Sequence, residues 1–179
     1  MNRAAPLAAF VALALCACRQ DSHPPLALAA DVDLERFMGD WYVIANIPTR
    51  IERGAHNAVE SYRLAGDGTV ETTFTFRKDG FDGELKRYMP RGFVREGTGN
   101  AVWGMRFVWP VKADYRIAWL DRDYTLTVVG REARDYVWIM ARRPEISESD
   151  YLTLTAFVAD QGYDMSKLQR VPQRWEATP

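Results

Sequence analysis

Val102-Trp103-Gly104-Met105-Arg106-Phe107-Val108-Trp109 sets a large apolar side chain at every second position. Trp103, Met105, Phe107 and Trp109 alternate with Gly104, Arg106 and Val108. An extended chain turns successive side chains to opposite faces, so a period of two reads as a strand with one buried side. The pattern recurs on either side. Tyr115, Ile117 and Trp119 oppose Arg116, Ala118 and Leu120, and Val70, Thr72, Phe74 and Phe76 oppose Glu71, Thr73 and Thr75. In all, eight segments read as strands: about 41–47, 56–64, 69–77, 84–95, 101–108, 114–120, 124–130 and 136–142.

Turn residues separate these segments. Gly66-Asp67-Gly68, Asp79-Gly80 with Asp82-Gly83, Gly97-Thr98-Gly99-Asn100 and Asp121-Arg122-Asp123 supply the backbone freedom and local hydrogen bonds that tight connections need. Pro90 and Gly92 inside the fourth segment predict a bend or bulge there. After the eighth segment the period changes. Ser147 caps a helix with Asp150 at its third position, Tyr151, Leu154, Phe157 and Val158 share one face, and Gly162 ends it. A short segment, 168–171, is placed for an edge pairing.

Eight antiparallel strands remove their edges by closing into a barrel. The predicted fold is therefore all-β: an eight-stranded antiparallel up-and-down β-barrel with one C-terminal α-helix packed outside. A barrel of this size either fills with its own side chains or holds one small ligand. Composition alone leaves both readings open.

The 179 residues suit one domain with a substantial core, and the formal charge of −1 shows no basic stripe for a nucleic acid. His23 and His56 are the only histidines, and no cysteine follows Cys18. A metal cluster, a thiol nucleophile inside the barrel and a histidine-based triad all lack their residues, and no Gly-x-Ser-x-Gly elbow is present. Neither a catalytic residue, a metal site nor a cofactor is assigned, and the chain reads as a non-enzyme.

Gly39-Asp40-Trp41-Tyr42, with Phe37 before it and Asn46-Ile47-Pro48-Thr49 after it, resembles the first lipocalin motif. Leu120-Asp121-Arg122-Asp123-Tyr124 resembles the second, with Arg122 where many members carry Thr. Tyr136-Val137-Trp138-Ile139-Met140-Ala141-Arg142 resembles the third, ending in its Arg. The three fall in order where the strand count requires them, and the likeness spans about 31–175. Arg50-Ile51-Glu52-Arg53-Gly54 and the run from Asp135 to Pro144 are similar to the bacterial outer-membrane lipocalins of the Blc type, related to apolipoprotein D.

The motif has its own physical reading. Trp41 opens the first strand and Arg142 closes the eighth, so a closed barrel brings them to the same end, where a guanidinium over an indole gains ~0.5–2 kcal/mol. Gly39, Trp41 and Arg142 are accordingly structural. The mouth then lies at the other end, in loops 48–55, 78–83, 109–113 and 131–135, which carry Arg50, Arg53, Lys78, Lys112, Arg131 and Arg134. A mixed-charge rim over an aromatic well suits an amphiphile. The expected ligand-binding side chains are Phe74, Phe76, Met105, Phe107, Tyr115, Ile117, Trp119, Leu126, Val128, Tyr136, Trp138 and Met140. The second segment is left out, because neither of its faces is cleanly apolar. An inward Glu60 there would be a costly buried carboxylate needing a partner.

Ahead of the barrel, Met1-Asn2-Arg3 and the apolar run Ala4 to Leu15 are far shorter than the ~20 residues of a spanning helix and read as an export signal. Leu15-Cys16-Ala17-Cys18 resembles a bacterial lipoprotein signal, with small Ala17 before Cys18 as the first mature residue. That resemblance implies residues 1–17 as signal peptide, acylation of Cys18, a lipidated tether over 18–30, the barrel domain over 31–175 and a tail over 176–179. Arg19 and Gln20 follow Cys18 without an intervening Asp, which by the same resemblance implies the outer membrane, with the barrel facing the periplasm. The implied ligand is a fatty acid such as palmitate, or a lysophospholipid, held for storage or transport in envelope maintenance under stress. A ligand-free envelope interaction barrel and a lipocalin-type enzyme are the alternatives. Some relatives form homodimers, although no stretch here marks such an interface. Replacing the anchor, Cys18→Ser, is expected to move the protein from the membrane pellet to the soluble fraction; persistence in the pellet would refute the lipidation.

Overall fold

The structure, a computed structural model, describes residues 23–175. The export signal, Cys18 and the tail 176–179 lie outside the described residues. Ten strands and two α-helices follow in chain order: α1 (Leu34–Phe37), β1 (Gly39–Ile47), β2 (Ala55–Leu64), β3 (Val70–Lys78), β4 (Leu85–Tyr88), β5 (Arg91–Val94), β6 (Val102–Val108), β7 (Val111–Leu120), β8 (Leu126–Gly130), β9 (Val137–Ala141), α2 (Glu148–Asp160) and β10 (Gln169–Arg170). Neighbouring strands pair antiparallel, and β9 returns to β1 with Tyr42 opposite Ala141 and Ile47 opposite Val137, which closes the barrel.

β4 and β5 are two halves of one stave. β4 continues alongside the upper part of β3 and β5 alongside its base, and the break falls at Met89-Pro90. Proline cannot donate to a ladder, so the bend expected from Pro90 is where the stave divides. Gly92 serves a second purpose: a Cβ there would meet the Met105 sulfur at 3.1 Å and Val70 at 3.3 Å inside the barrel. β10 occupies the gap where β1 and β2 part. It pairs with Ala45 and Asn46, and the chain beyond it bridges to β2 through Asn57 N–H donating to the Pro172 carbonyl at 2.9 Å. The Gln173 amide donates to Val43 and Ala58 carbonyls on both sides of the seam.

Apolar side chains form two layers. The inner one gathers Phe37, Trp41, Tyr62, Phe76, Trp103 and Met140 within the barrel. The outer one gathers Ile44, Val128, Ile139, Leu154 and Val158 between α2 and the β1–β9–β8 wall. α2 begins as expected, with the Ser147 side chain accepting from Asp150 N–H and Tyr151, Leu154, Phe157 and Val158 turned to the barrel. Packing starts ahead of residue 31, since Leu26 is buried in the outer layer and Ala29 N–H donates to the Ile117 carbonyl.

One end is sealed by Arg142. Its guanidinium lies 3.9 Å from the Trp41 ring centroid and donates to the carbonyls of Arg36 (2.8 Å), Phe37 (3.1 Å), Asp40 (2.9 Å) and Tyr124 (3.2 Å). Trp41 Nε1 donates to the same Phe37 carbonyl at 2.8 Å. These contacts hold α1 across the base, with the Phe37 ring against Trp41, Tyr62 and Trp103. Gly39 carries φ +94°, and a Cβ there would come within 3.3 Å of the Arg142 guanidinium. Glycine is thus required twice at this position. Arg142→Ala is expected to cost on the order of 2–4 kcal/mol through the lost carbonyl bonds and cation–π contact, read by urea denaturation; a change under about 0.5 kcal/mol would remove Arg142 from this role.

Candidate functional site

Above the sealed base the barrel is hollow. A cavity of about 350 Å³ runs to the opposite end and is lined mainly by Phe74, Met105, Ala113, Tyr115, Tyr136 and Trp138, with Phe107 and Ile51 at its opening. That volume falls within the range of small-molecule sites. The lining rings come from β3, β7 and the β9 approach, where the period of two aims alternate side chains inward.

The deep end is polar. β2 sends Ala58, Glu60 and Tyr62 inward, and Glu60 sits opposite Trp41 of β1 and Phe74 of β3. Glu60 is 8 % exposed and accepts from the Tyr62 hydroxyl, which lies 2.7 Å from the Tyr115 hydroxyl. Burial strips water from the Glu60 carboxylate and raises its pKa to about 7; the Tyr62 bond opposes the rise, and the Glu52 charge adds to it. Thr72, facing the same space from β3, has a buried hydroxyl oxygen without a partner among the described residues.

Nearer the mouth a second carboxylate, Glu52, is buried but satisfied. It accepts from Thr49 N–H at 2.8 Å and from Trp138 Nε1 at 2.7 Å, which ties the β1–β2 loop to the cavity wall. Its pKa is raised by burial, against the opposing hydrogen bonds. Of the six rim cations, Arg50 and Arg131 line the cavity. Arg131 also pairs with Asp135 at 3.3 Å and lies over the Tyr136 ring. Three of the other rim cations engage elsewhere in the protein. Lys112 lies 3.9 Å over Phe93, Lys78 pairs with Asp79, and Arg134 bonds the Pro24 and Gln161 carbonyls. Beside the mouth the β6–β7 hairpin exposes Val108 (73 %), Trp109 (78 %) and Val111 (70 %). His56 packs edge-on against Phe81 and is not part of the lining.

Six of the expected ligand-binding side chains meet in the cavity: Phe74, Met105, Phe107, Tyr115, Tyr136 and Trp138. Phe76, Ile117 and Met140 face inward but are packed away from it, Phe76 stacked against Tyr88. Trp119, Leu126 and Val128 belong to the outer layer, so their expected inward placement is corrected. For Trp119 the cause is a bulge. Ile117 pairs with Val129 but Trp119 pairs with Val128, and the extra residue turns Trp119 outward. For β8 the cause is the outer layer, where Val128 is buried as fully as the sheet buries Thr127 and Val129 and Leu126 is partly buried, so burial does not tell the two faces apart. Lining residues left out of the expected set include Glu60, Glu52, Thr72, Ala113 and Asp114. For Glu60 a signal existed, since a carboxylate two residues before a tyrosine has a partner at hand if both turn inward.

The Glu60 proton links this site to stability. The native state holds that proton up to about pH 7, whereas the unfolded chain releases it near the ordinary 4.5. Between those values the native state binds more protons, so this contribution is full below the lower pKa and lost as pH rises through the upper one. Thermal melting of the ligand-free protein is expected to fall as pH rises from about 5 to about 8. Glu60→Gln is expected to flatten that fall, leaving the part due to Glu52. An unchanged slope would show that Glu60 is not buried in this way.

Comparisons with known proteins agree with this geometry. A lipocalin-like domain model matches residues 32–173. The outer membrane lipoprotein Blc of Escherichia coli (strain K12) is 30% identical over 177 residues, covering 93% of this chain and 94% of that one. Temperature-induced lipocalin-1 of Arabidopsis thaliana is 30% identical over 154 residues, covering 79% and 80%. Among solved structures, insecticyanin from the tobacco hornworm Manduca sexta superposes with a TM-score of 0.66 at 14% identity, over 84% of this chain and 85% of that one. Barrel closure, the sealed base with its tryptophan–arginine contact and the family match together establish that the chain belongs to the lipocalin-like family.

Proposed function

We propose that this protein is a membrane-tethered carrier of a fatty acid or lysophospholipid, serving lipid storage or transport in envelope maintenance. One observation carries the reading: an aromatic-lined well of about 350 Å³, closed at one end and bordered by Arg50 and Arg131 at the other. An acyl chain in the well removes apolar surface from water at ~25 cal/mol per Å², and a carboxylate or phosphate at the rim meets guanidinium donors. The exposed apolar tip at Val108, Trp109 and Val111 adds a surface beside the opening over which an amphiphile can pass. Membership in the family supports binding of a small hydrophobic ligand. The name of the Escherichia coli relative, an outer membrane lipoprotein, supports a lipid anchor at Cys18, and the barrel is proposed to face the periplasm.

Native mass spectrometry of protein produced without its export signal is expected to show a co-purified lipid. Ala113→Trp, which puts a large ring into the lining, is expected to weaken binding of a fluorescent fatty acid by roughly tenfold or more with an unchanged melting temperature. A barrel that stays empty and indifferent to added lipids would favour a ligand-free interaction protein, and turnover of an added lipid would favour an enzyme.

A further inference from the structure

A plain hydrocarbon tail fits the upper part of this well but not its base. The Tyr115 and Tyr62 hydroxyls lie 2.7 Å apart, and Tyr62 donates to Glu60. Each phenol has one proton. When Tyr62 spends its proton on Glu60, Tyr115 must donate to Tyr62, and both are committed. The described residues give Glu60 no second hydrogen bond, although a carboxylate has lone pairs for several. The Thr72 hydroxyl oxygen is buried without a partner on the strand opposite, where Thr72 is the cross-strand neighbour of Tyr62. Both groups line the same cavity. At pH 8, where Glu60 is mostly ionised, the base therefore holds more acceptors than donors, and covering it with methylene groups leaves buried polar atoms unpaired at substantial cost.

The mouth has the opposite character, with Arg50 and Arg131 offering donors. We infer that the cavity is a site for an amphiphile polar at both ends: an anionic head at the rim and a hydroxyl at the far end of its apolar chain, donating to Glu60 and accepting from Thr72. Such a ligand satisfies the base and retains the burial of the chain between. This deepens the carrier reading and rests on it, since it specifies which fatty acids the well prefers.

The test compares, at pH 8, unmodified fatty acids from decanoate to palmitate with their ω-hydroxy counterparts, by calorimetry or displacement of a fluorescent fatty acid. For the chain length that reaches the base, the ω-hydroxy acid is expected to bind about fivefold or more tightly, although its hydroxyl is the more costly to dehydrate. Glu60→Leu is expected to abolish that preference, bringing the ratio of the two affinities to about one. Glu60→Gln, which retains an acceptor oxygen, is expected to keep part of it. Equal or weaker binding of the ω-hydroxy acids at every length overturns the inference and leaves the carrier reading standing; a wild-type protein that binds neither series overturns both. If Glu60→Leu does not fold, the wild-type ratio decides alone.

Discussion

The guanidinium of Arg142 against the Trp41 ring is the contact that turns a rolled sheet into a vessel. It joins the last barrel strand to the first and at the same time collects the carbonyls at the end of α1, holding that short helix across the opening. A four-residue helix has no independent stability. Its place depends on Arg142, on the Trp41 indole bond to the Phe37 carbonyl and on the Phe37 ring buried among Trp41, Tyr62 and Trp103. With that end sealed, everything that enters the barrel must pass the rim.

Local chemistry was readable wherever a residue type has one dominant use. Pro90 divides the fourth stave, Ser147 caps α2, and the ordered motifs around Trp41 and Arg142 fixed which end is closed. Facing was readable only where one side of a strand meets solvent. β3, with Thr73 and Thr75 outward, showed its inner set plainly. β8 lies beneath α2 and is buried on both sides, so alternation there carries no information about the interior. In β1 and β7 the bulges at Ile44 and Ala118 change parity part-way along, which a fixed period cannot represent. Trp119 is the casualty of the second of these.

The cavity divides into a base that is chemically demanding and an upper part that is permissive. Rings and Met105 accept apolar groups of many shapes, so affinity there follows buried area. Glu60, Tyr62, Tyr115 and Thr72 accept only groups that complete their hydrogen bonds, and a buried site of that kind discriminates through what it leaves unpaired. Glu52 shows the contrast: equally buried, it is fully used in fastening the rim loop to Trp138 and contributes shape.

The stitch of residues 169–173 between β1 and β2 bears on when the molecule can become itself. β1 is among the first parts of the barrel to be made, yet the half of it beyond Val43 remains unpaired on one side until residues 169–173 arrive. Partnerships of such large sequence separation form late and slowly. The seam between β1 and β2 therefore depends on a segment made after both, and it closes only once β1 to β9 are already in the chain.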